Sequence, residues 1–85
     1  MVTYEHVTIF NCGNDLLVGE ATLTTTDDER GGLTFSLQAI GNEQLNLSSQ
    51  AVYRIEAPPK PPRYVRADRN AQFGATVYVQ LVPKP

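Results

Sequence analysis

The chain has 85 residues, of which 41% are hydrophobic and 19% charged, with a formal net charge of −2. This length predicts a single domain with one core, and this composition excludes a chain that is disordered throughout. The single cysteine, Cys12, excludes an intramolecular disulfide and a zinc site built from cysteines. The first residues lack the basic cluster of a signal peptide, and no apolar run reaches the roughly 20 residues of a membrane-spanning helix. We therefore expect no membrane association, and a location in the cytoplasm or within a virion.

The first half of the chain alternates apolar and polar residues with the period of a β-strand. Residues 4–10 are rich in strand formers but carry apolar side chains on both faces, which is typical of a strand covered on both sides or in contact with a partner. A turn at 11–15 leads to a second strand at 16–26, with Leu17, Gly19, Ala21 and Leu23 on one face. The polar turn at 27–32 leads to a third strand, Leu33–Ala39, with its odd-numbered residues facing the core.

The second half shows the same alternation at 51–57 and 75–81, which predicts two further strands. Their inward residues are expected at odd-numbered positions, from Ala51 to Ala57 and from 75 to Leu81. Shorter strands are predicted at 44–47 and near Tyr64. We predict an all-β domain spanning residues 1–85, either a small antiparallel barrel or a two-sheet sandwich of about five to seven strands.

A long Pro-rich connection is predicted at 57–74, because proline lacks the backbone donor that a central strand requires. Its start is expected to be stiff and extended, and long loops in small domains are often functional. Residues 58–63 fit the P-x-x-P-x-R pattern of a ligand for aromatic-grooved domains. Lys60 occupies an expected apolar position of that pattern, so a rigid connector is the favoured interpretation.

Charge is distributed unevenly along the chain. Residues 1–50 carry seven acids and one base, and residues 51–85 carry six bases and two acids. Strands that fold back on one another would mix these halves, whereas unmixed halves would attract an anionic ligand or the opposite half of another copy. The candidate partner-binding residues are the bases of the predicted connection and the tyrosine among them: Lys60, Arg63, Tyr64, Arg66 and Arg69.

Catalytic and metal-binding patterns are weak. His6 is the only histidine, no G-x-S-x-G elbow is present, and Cys12 would need an electropositive setting to react. The acidic residues at 27–29 do not follow the spacing of a calcium-binding loop, which favours a solvated turn. We therefore expect no enzyme, no metal and no cofactor.

These observations favour a non-enzymatic module for protein–protein interaction or assembly, of the kind found in virus and phage particles. Its expected partner is another protein or a second copy, which would give a homo-oligomer. The alternative is a small nucleic-acid-binding barrel that uses residues 60–69, with arginines on phosphates and Tyr64 or Phe73 stacked on bases. An isoelectric point near 5.2 argues against that alternative, since dedicated nucleic-acid binders are basic.

Overall fold

Six β-strands make up the regular structure of the chain. The computed structural model describes residues 1–41, 45–73 and 76–85, and the side chains at 68–73 fall outside this description. The strands are β1 (Val2–Asn11), β2 (Leu17–Asp27), β3 (Leu33–Ala39), β4 (Tyr53–Glu56), β5 (Arg63–Phe73) and β6 (Thr76–Val82). They close into a barrel in the order β1-β2-β3-β6-β5-β4, which confirms the predicted small antiparallel barrel. In the described part of the chain, no helix is long and apolar enough to span a membrane.

Two three-stranded meanders build this barrel. Strands β1, β2 and β3 follow one another as antiparallel neighbours, and so do β4, β5 and β6. The meanders join through two antiparallel seams, one between β1 and β4 and one between β3 and β6. Closure pairs the outer strands of each meander along part of their length, and a strand has no free edge where it is paired on both sides.

The core fills the barrel with side chains from all six strands. Ile9, Leu37, Ile55 and Val65 are fully buried, and burying one such side chain stabilises the fold by about 1.5–3 kcal/mol. The other buried residues are Val7, Ala21, Leu23, Leu45, Tyr53, Ala67, Val77 and Val79. The predicted inward faces are therefore correct in the middle of β2, β3, β4 and β6, although position 75 lies outside the described residues.

A β-bulge in β2 overturns the prediction that Leu17 faces the core. Ile9 lies opposite Gly19, but the next residue, Phe10, lies opposite Leu17, so Val18 is the extra residue on β2. An extra residue of this kind puts the side chain on its far side, here that of Leu17, on the opposite face from the one that simple alternation predicts. Val18 consequently packs against the core, whereas Leu17 points outward and is 63% exposed.

The predicted connection at 57–74 is wrong in its extent, because most of it is β5. Only residues 57–62 connect β4 to β5, and this turn is closed by the Lys60 N–H, which donates to the Ala57 carbonyl at 3.1 Å. Val65 and Ala67 are buried, and their alternation with polar neighbours is the strand signal. The nearby prolines and arginines conceal that signal, but the prolines all lie in the turn and do not prevent the residues that follow from forming a strand.

The short strand predicted at 44–47 is also not observed. Position 44 lies outside the described residues, and residues 45–48 form no strand, yet Leu45 is buried in the core. The chain is held here by the Ser48 N–H, which donates to the Tyr53 hydroxyl at 2.8 Å. Leu45 is thus a core residue contributed by the connection between β3 and β4.

Candidate interaction surface

Glu5 holds two of the predicted binding residues. It lies on the inward face of β1 with Val7 and Ile9, and its side chain is only 18% exposed. The Lys60 ammonium donates to Glu5 Oε1 at 2.7 Å, and Arg63 Nη2 donates to Glu5 Oε2. Because two cations already contact this carboxylate, Lys60 and Arg63 are not a free basic surface.

Hydrogen bonds from Lys60, and then from Arg63, hold the pKa of Glu5 below its ordinary value of 4.5. Partial burial acts in the opposite direction, because it disfavours the charged carboxylate. The Arg63 Nε is buried and has no hydrogen-bond partner among the described residues. The contact thus ties the 57–62 turn and the start of β5 to β1.

Arg54 is neutralised on the outer face of the barrel. Its guanidinium lies 2.8 Å from Asp15 Oδ1 and 3.4 Å from Glu56 Oε2, and it stacks 4.8 Å above the centre of the Phe10 ring. The hydrogen bond that Arg54 donates to Asp15 is the main cause that raises the pKa of Arg54 above its ordinary value. Cross-strand pairing of Phe10 with Arg54, and of Arg54 with Tyr64, explains why these side chains meet.

The fold mixes the two halves that the sequence separates by charge. Glu5 and Asp15 come from the acidic half, and they pair with Lys60, Arg63 and Arg54 from the basic half. For these residues, the strands do fold back on one another and mix the acidic half with the basic half. The described side chains of residues 60–69 therefore do not form a continuous basic surface.

Tyr64 and Arg66 remain on the outer face of β5. Val65 and Ala67, which alternate with them along β5, point into the core, so Tyr64 and Arg66 point outward. Tyr64 is half-buried and Arg66 is exposed. The side chain of Arg69, like that of Phe73, falls outside the described residues. Two of the five predicted binding residues are thus placed together on one accessible face.

A groove with both polar and apolar walls opens where the seam between β3 and β6 ends. The strands pair from Gln38 and Thr76 as far as Phe35 and Val79, and then both continue without pairing to each other. The groove has a volume of about 340 Å³. Its walls are three consecutive residues from each strand: Leu33, Thr34 and Phe35 from β3, and Val79, Gln80 and Leu81 from β6. We call it the β3–β6 groove.

Each strand that forms a wall of the β3–β6 groove is still paired, on its far side, with its other neighbour. Leu33 still pairs with Asp27 on β2, and Gln80 still pairs with Arg66 on β5. Among the strands that the structure describes, none pairs with the backbone edges that face each other across the groove. Leu33 and Leu81 belong to the inward sets of their strands, yet they are 58% and 48% exposed because the barrel wall parts there. The prediction that these two leucines are core residues is therefore wrong.

The other candidate groups do not assemble into a site. His6 and Cys12 are separated by extended β1 chain, whose rise of about 3.3 Å per residue keeps them roughly 20 Å apart. The His6 ring instead lies 3.3 Å from Glu20, and both side chains are mostly exposed. Within residues 1–41, 45–73 and 76–85, no group of three His, Cys, Asp or Glu residues is placed to hold a metal ion.

The acidic turn before β3 is organised by its own backbone. Asp28 Oδ1 accepts hydrogen bonds from the Arg30 and Gly32 N–H groups, both at 2.8 Å. An aspartate that caps its own turn in this way favours the solvated-turn interpretation over a calcium loop. The turn projects an exposed acidic tip beside Leu33.

The β3–β6 groove is the feature that sequence reasoning missed. Alternation marks Leu33 and Leu81 as apolar, but it carries no information on where two strands distant in sequence stop pairing. No protein-family model, curated protein or solved structure matches the chain. Function is therefore inferred from the geometry and chemistry of this surface.

Proposed function

We propose that the chain is a non-enzymatic protein–protein interaction module that docks its partner at the β3–β6 groove. The observation that carries this proposal is the end of β3–β6 pairing beside two half-exposed leucines. Unpaired strand edges accept an added strand, and burial of the two adjoining leucines would add to the affinity.

Covering the two leucines provides a reasonable driving force. Full burial of a leucine side chain is worth about 1.5–3 kcal/mol, and Leu33 and Leu81 each have about half of that burial still to gain. Phe35 at the base of the β3–β6 groove is half-buried and adds to the apolar wall. Isolated exposed leucines are ordinary on protein surfaces, but this pair lines a single groove.

Docking at this surface would assemble folded chains into a larger particle. A barrel whose core is already closed does not need a partner to fold, so docking at the β3–β6 groove would join preformed units. A structural or accessory component of a virus or phage particle would use such a contact. This setting is a proposal that rests on the surface alone.

Site-specific photo-crosslinking tests the docking surface. A photoreactive amino acid replaces Leu33 in one variant and Leu16 in a control, which have similar exposure at 58% and 64%. Both proteins are irradiated in an extract of cells that encode the chain, and adducts are identified by mass spectrometry. We expect adducts with one defined protein, the chain itself included, from position 33 and not from position 16. Equal labelling from both positions, or no adduct from position 33, would refute the proposed docking surface.

Nucleic-acid binding is the second candidate, and the outward placement of Tyr64 beside the exposed Arg66 favours it. Stacking on an aromatic ring and a phosphate contact from arginine are the usual elements of single-strand binding. The pairing of Lys60 and Arg63 with Glu5 weakens this candidate. Titration with a short single-stranded oligonucleotide at low salt tests this candidate. We expect that the Arg66→Ala variant binds the oligonucleotide no more weakly than the unaltered chain.

A further inference from the structure

We propose that the partner at the β3–β6 groove is a second copy of this chain, joined by a two-fold axis parallel to the groove. The inference rests on the proposed function, and it adds the identity and the geometry of the partner. Its basis is the distribution of the charges that the fold leaves unpaired around the groove.

The charges far from the β3–β6 groove are largely paired within the molecule. Glu5 contacts Lys60 and Arg63, and Asp15 contacts Arg54. The charges beside the groove behave differently. Among the described residues, these exposed side chains form no ion pair, and they are Asp27, Asp28, Glu29 and Arg30 on the β3 side, and Arg66 on the β6 side.

These unpaired groups have opposite sign on the two rims. The tip before β3 carries three acids and one base, which gives it a net charge of −2. Arg66 lies opposite Gln80, which is a wall residue of the groove, so the other rim is basic. We call these the acidic rim (27–30) and the basic rim (Arg66).

A two-fold axis along the β3–β6 groove satisfies both rims at once. Rotation about such an axis places the β3 side of one copy over the β6 side of the other, so each acidic rim meets a basic rim. The same rotation brings the exposed leucines of the two copies together over the groove. One surface is used twice, and the assembly closes at two copies.

A standard dimer interface takes about 800 Å² from each partner, which is about one seventh of the 5770 Å² surface of this chain. Charge pairs at an exposed rim are screened by salt, so the dimer should weaken as the salt concentration rises.

Light scattering after gel filtration tests the dimer, at low and at high salt. We expect a dimer at low salt that dissociates as salt is added. The variant Leu81→Arg places a charge in the β3–β6 groove and should weaken the dimer about tenfold or more. The matched variant Leu16→Arg changes a similarly exposed leucine elsewhere and should leave the dimer intact. A monomer at every concentration and salt, or a dimer unaffected by Leu81→Arg, would overturn the inference.

A charge-swap experiment tests the two-fold geometry. One variant carries Asp27→Lys and Glu29→Lys, which reverse the acidic rim without altering the Asp28 side chain that caps the turn. The other carries Arg66→Glu, which reverses the basic rim. In each variant alone, like charges face each other twice, and we expect monomers with an unchanged far-ultraviolet spectrum.

Mixing the two reversed variants should restore association. In the mixed pair, both contacts join opposite charges, so we expect a heterodimer that native mass spectrometry detects and neither variant forms alone. A mixture that stays monomeric while the unaltered chain dimerises would refute the two-fold contact. A monomeric chain that crosslinks from position 33 to a foreign protein would refute the second copy as partner and leave the proposed docking surface standing. A monomeric chain with no such crosslink would refute both.

Discussion

Replacing Glu5 by glutamine tests whether the contact with Lys60 and Arg63 stabilises the barrel. The change keeps the shape of the side chain and removes its charge. Lys60 and Arg63 then face a neutral amide, and the amide nitrogen adds a donor where two donors already converge. Arg63 already has one buried nitrogen without a hydrogen bond, so a second unsatisfied nitrogen adds to an existing cost.

The loss of unfolding free energy expected for Glu5→Gln lies between the values for exposed and buried ion pairs. An exposed pair contributes about 0–1 kcal/mol, and breaking a fully buried pair costs about 3–5 kcal/mol. The Glu5 side chain is 18% exposed, Arg63 is 29% exposed and Lys60 is 61% exposed, so only the Arg63 contact is well shielded. We expect Glu5→Gln to cost about 2 kcal/mol, which for a domain of this size lowers the melting temperature by roughly 8–16 °C.

Urea unfolding followed by circular dichroism measures this loss. Glu20→Gln is the matched control, because it removes a carboxylate that lies 3.3 Å from His6 with both side chains about 60% exposed. The control should change the free energy of unfolding by no more than about 0.5 kcal/mol. Equal effects of the two substitutions would show that the Glu5 contact is an ordinary surface pair, and the reasoning would fail.

The same contact predicts a dependence of stability on pH. The pKa of Glu5 is lower in the folded chain than its ordinary value of 4.5. A carboxyl group with a lowered folded pKa gives its full stabilisation above the unfolded pKa and loses it as pH falls through the folded pKa. The unaltered chain should therefore lose stability below about pH 4.5 more steeply than Glu5→Gln does. Parallel pH profiles for the two proteins would contradict this prediction.

Three further substitutions test the barrel interior and one turn. Ile55→Ala removes a fully buried side chain and should cost about 2–5 kcal/mol in urea unfolding, with a loss below 1 kcal/mol contradicting its place in the core. Tyr53→Phe leaves the Ser48 N–H without its acceptor and should cost about 1–2 kcal/mol by the same assay, whereas no change would mean that water replaces the hydroxyl. Gly31→Ala meets no atom within 4 Å but adds a side chain at a φ of 80°, so thermal unfolding should show a loss of about 1 kcal/mol, and a gain would contradict the left-handed backbone there.

The local pattern of the sequence predicts most strands correctly because alternation is a local property. Leu33–Ala39 is observed with the predicted bounds, and buried Leu37, Val77 and Val79 lie on the predicted faces. The misplacement of Leu17 has a local cause that alternation cannot show, since a single bulged residue at Val18 reverses the face of its neighbours.

The candidate surface depends on contacts between distant segments, and the sequence does not encode these in any local pattern. Glu5 lies 58 residues before Arg63, and only closure of the barrel brings them together. The β3–β6 groove likewise exists because two strands separated by most of the second meander stop pairing at Phe35 and Val79. The uneven charge of the sequence indicated ion pairs, and the fold decides which charges meet within the molecule and which remain beside the groove.

Residue-resolved nuclear magnetic resonance tests the central claim that two copies of the chain associate at the β3–β6 groove. Backbone amide shifts of the isotope-labelled chain are recorded from dilute to concentrated protein at low salt. We predict concentration-dependent changes centred on Leu33, Thr34, Gln80 and Leu81, with residues near Leu16 unaffected. Shifts centred instead on the outer face around Phe10, Arg54 and Tyr64, or no shifts at any concentration, would contradict it.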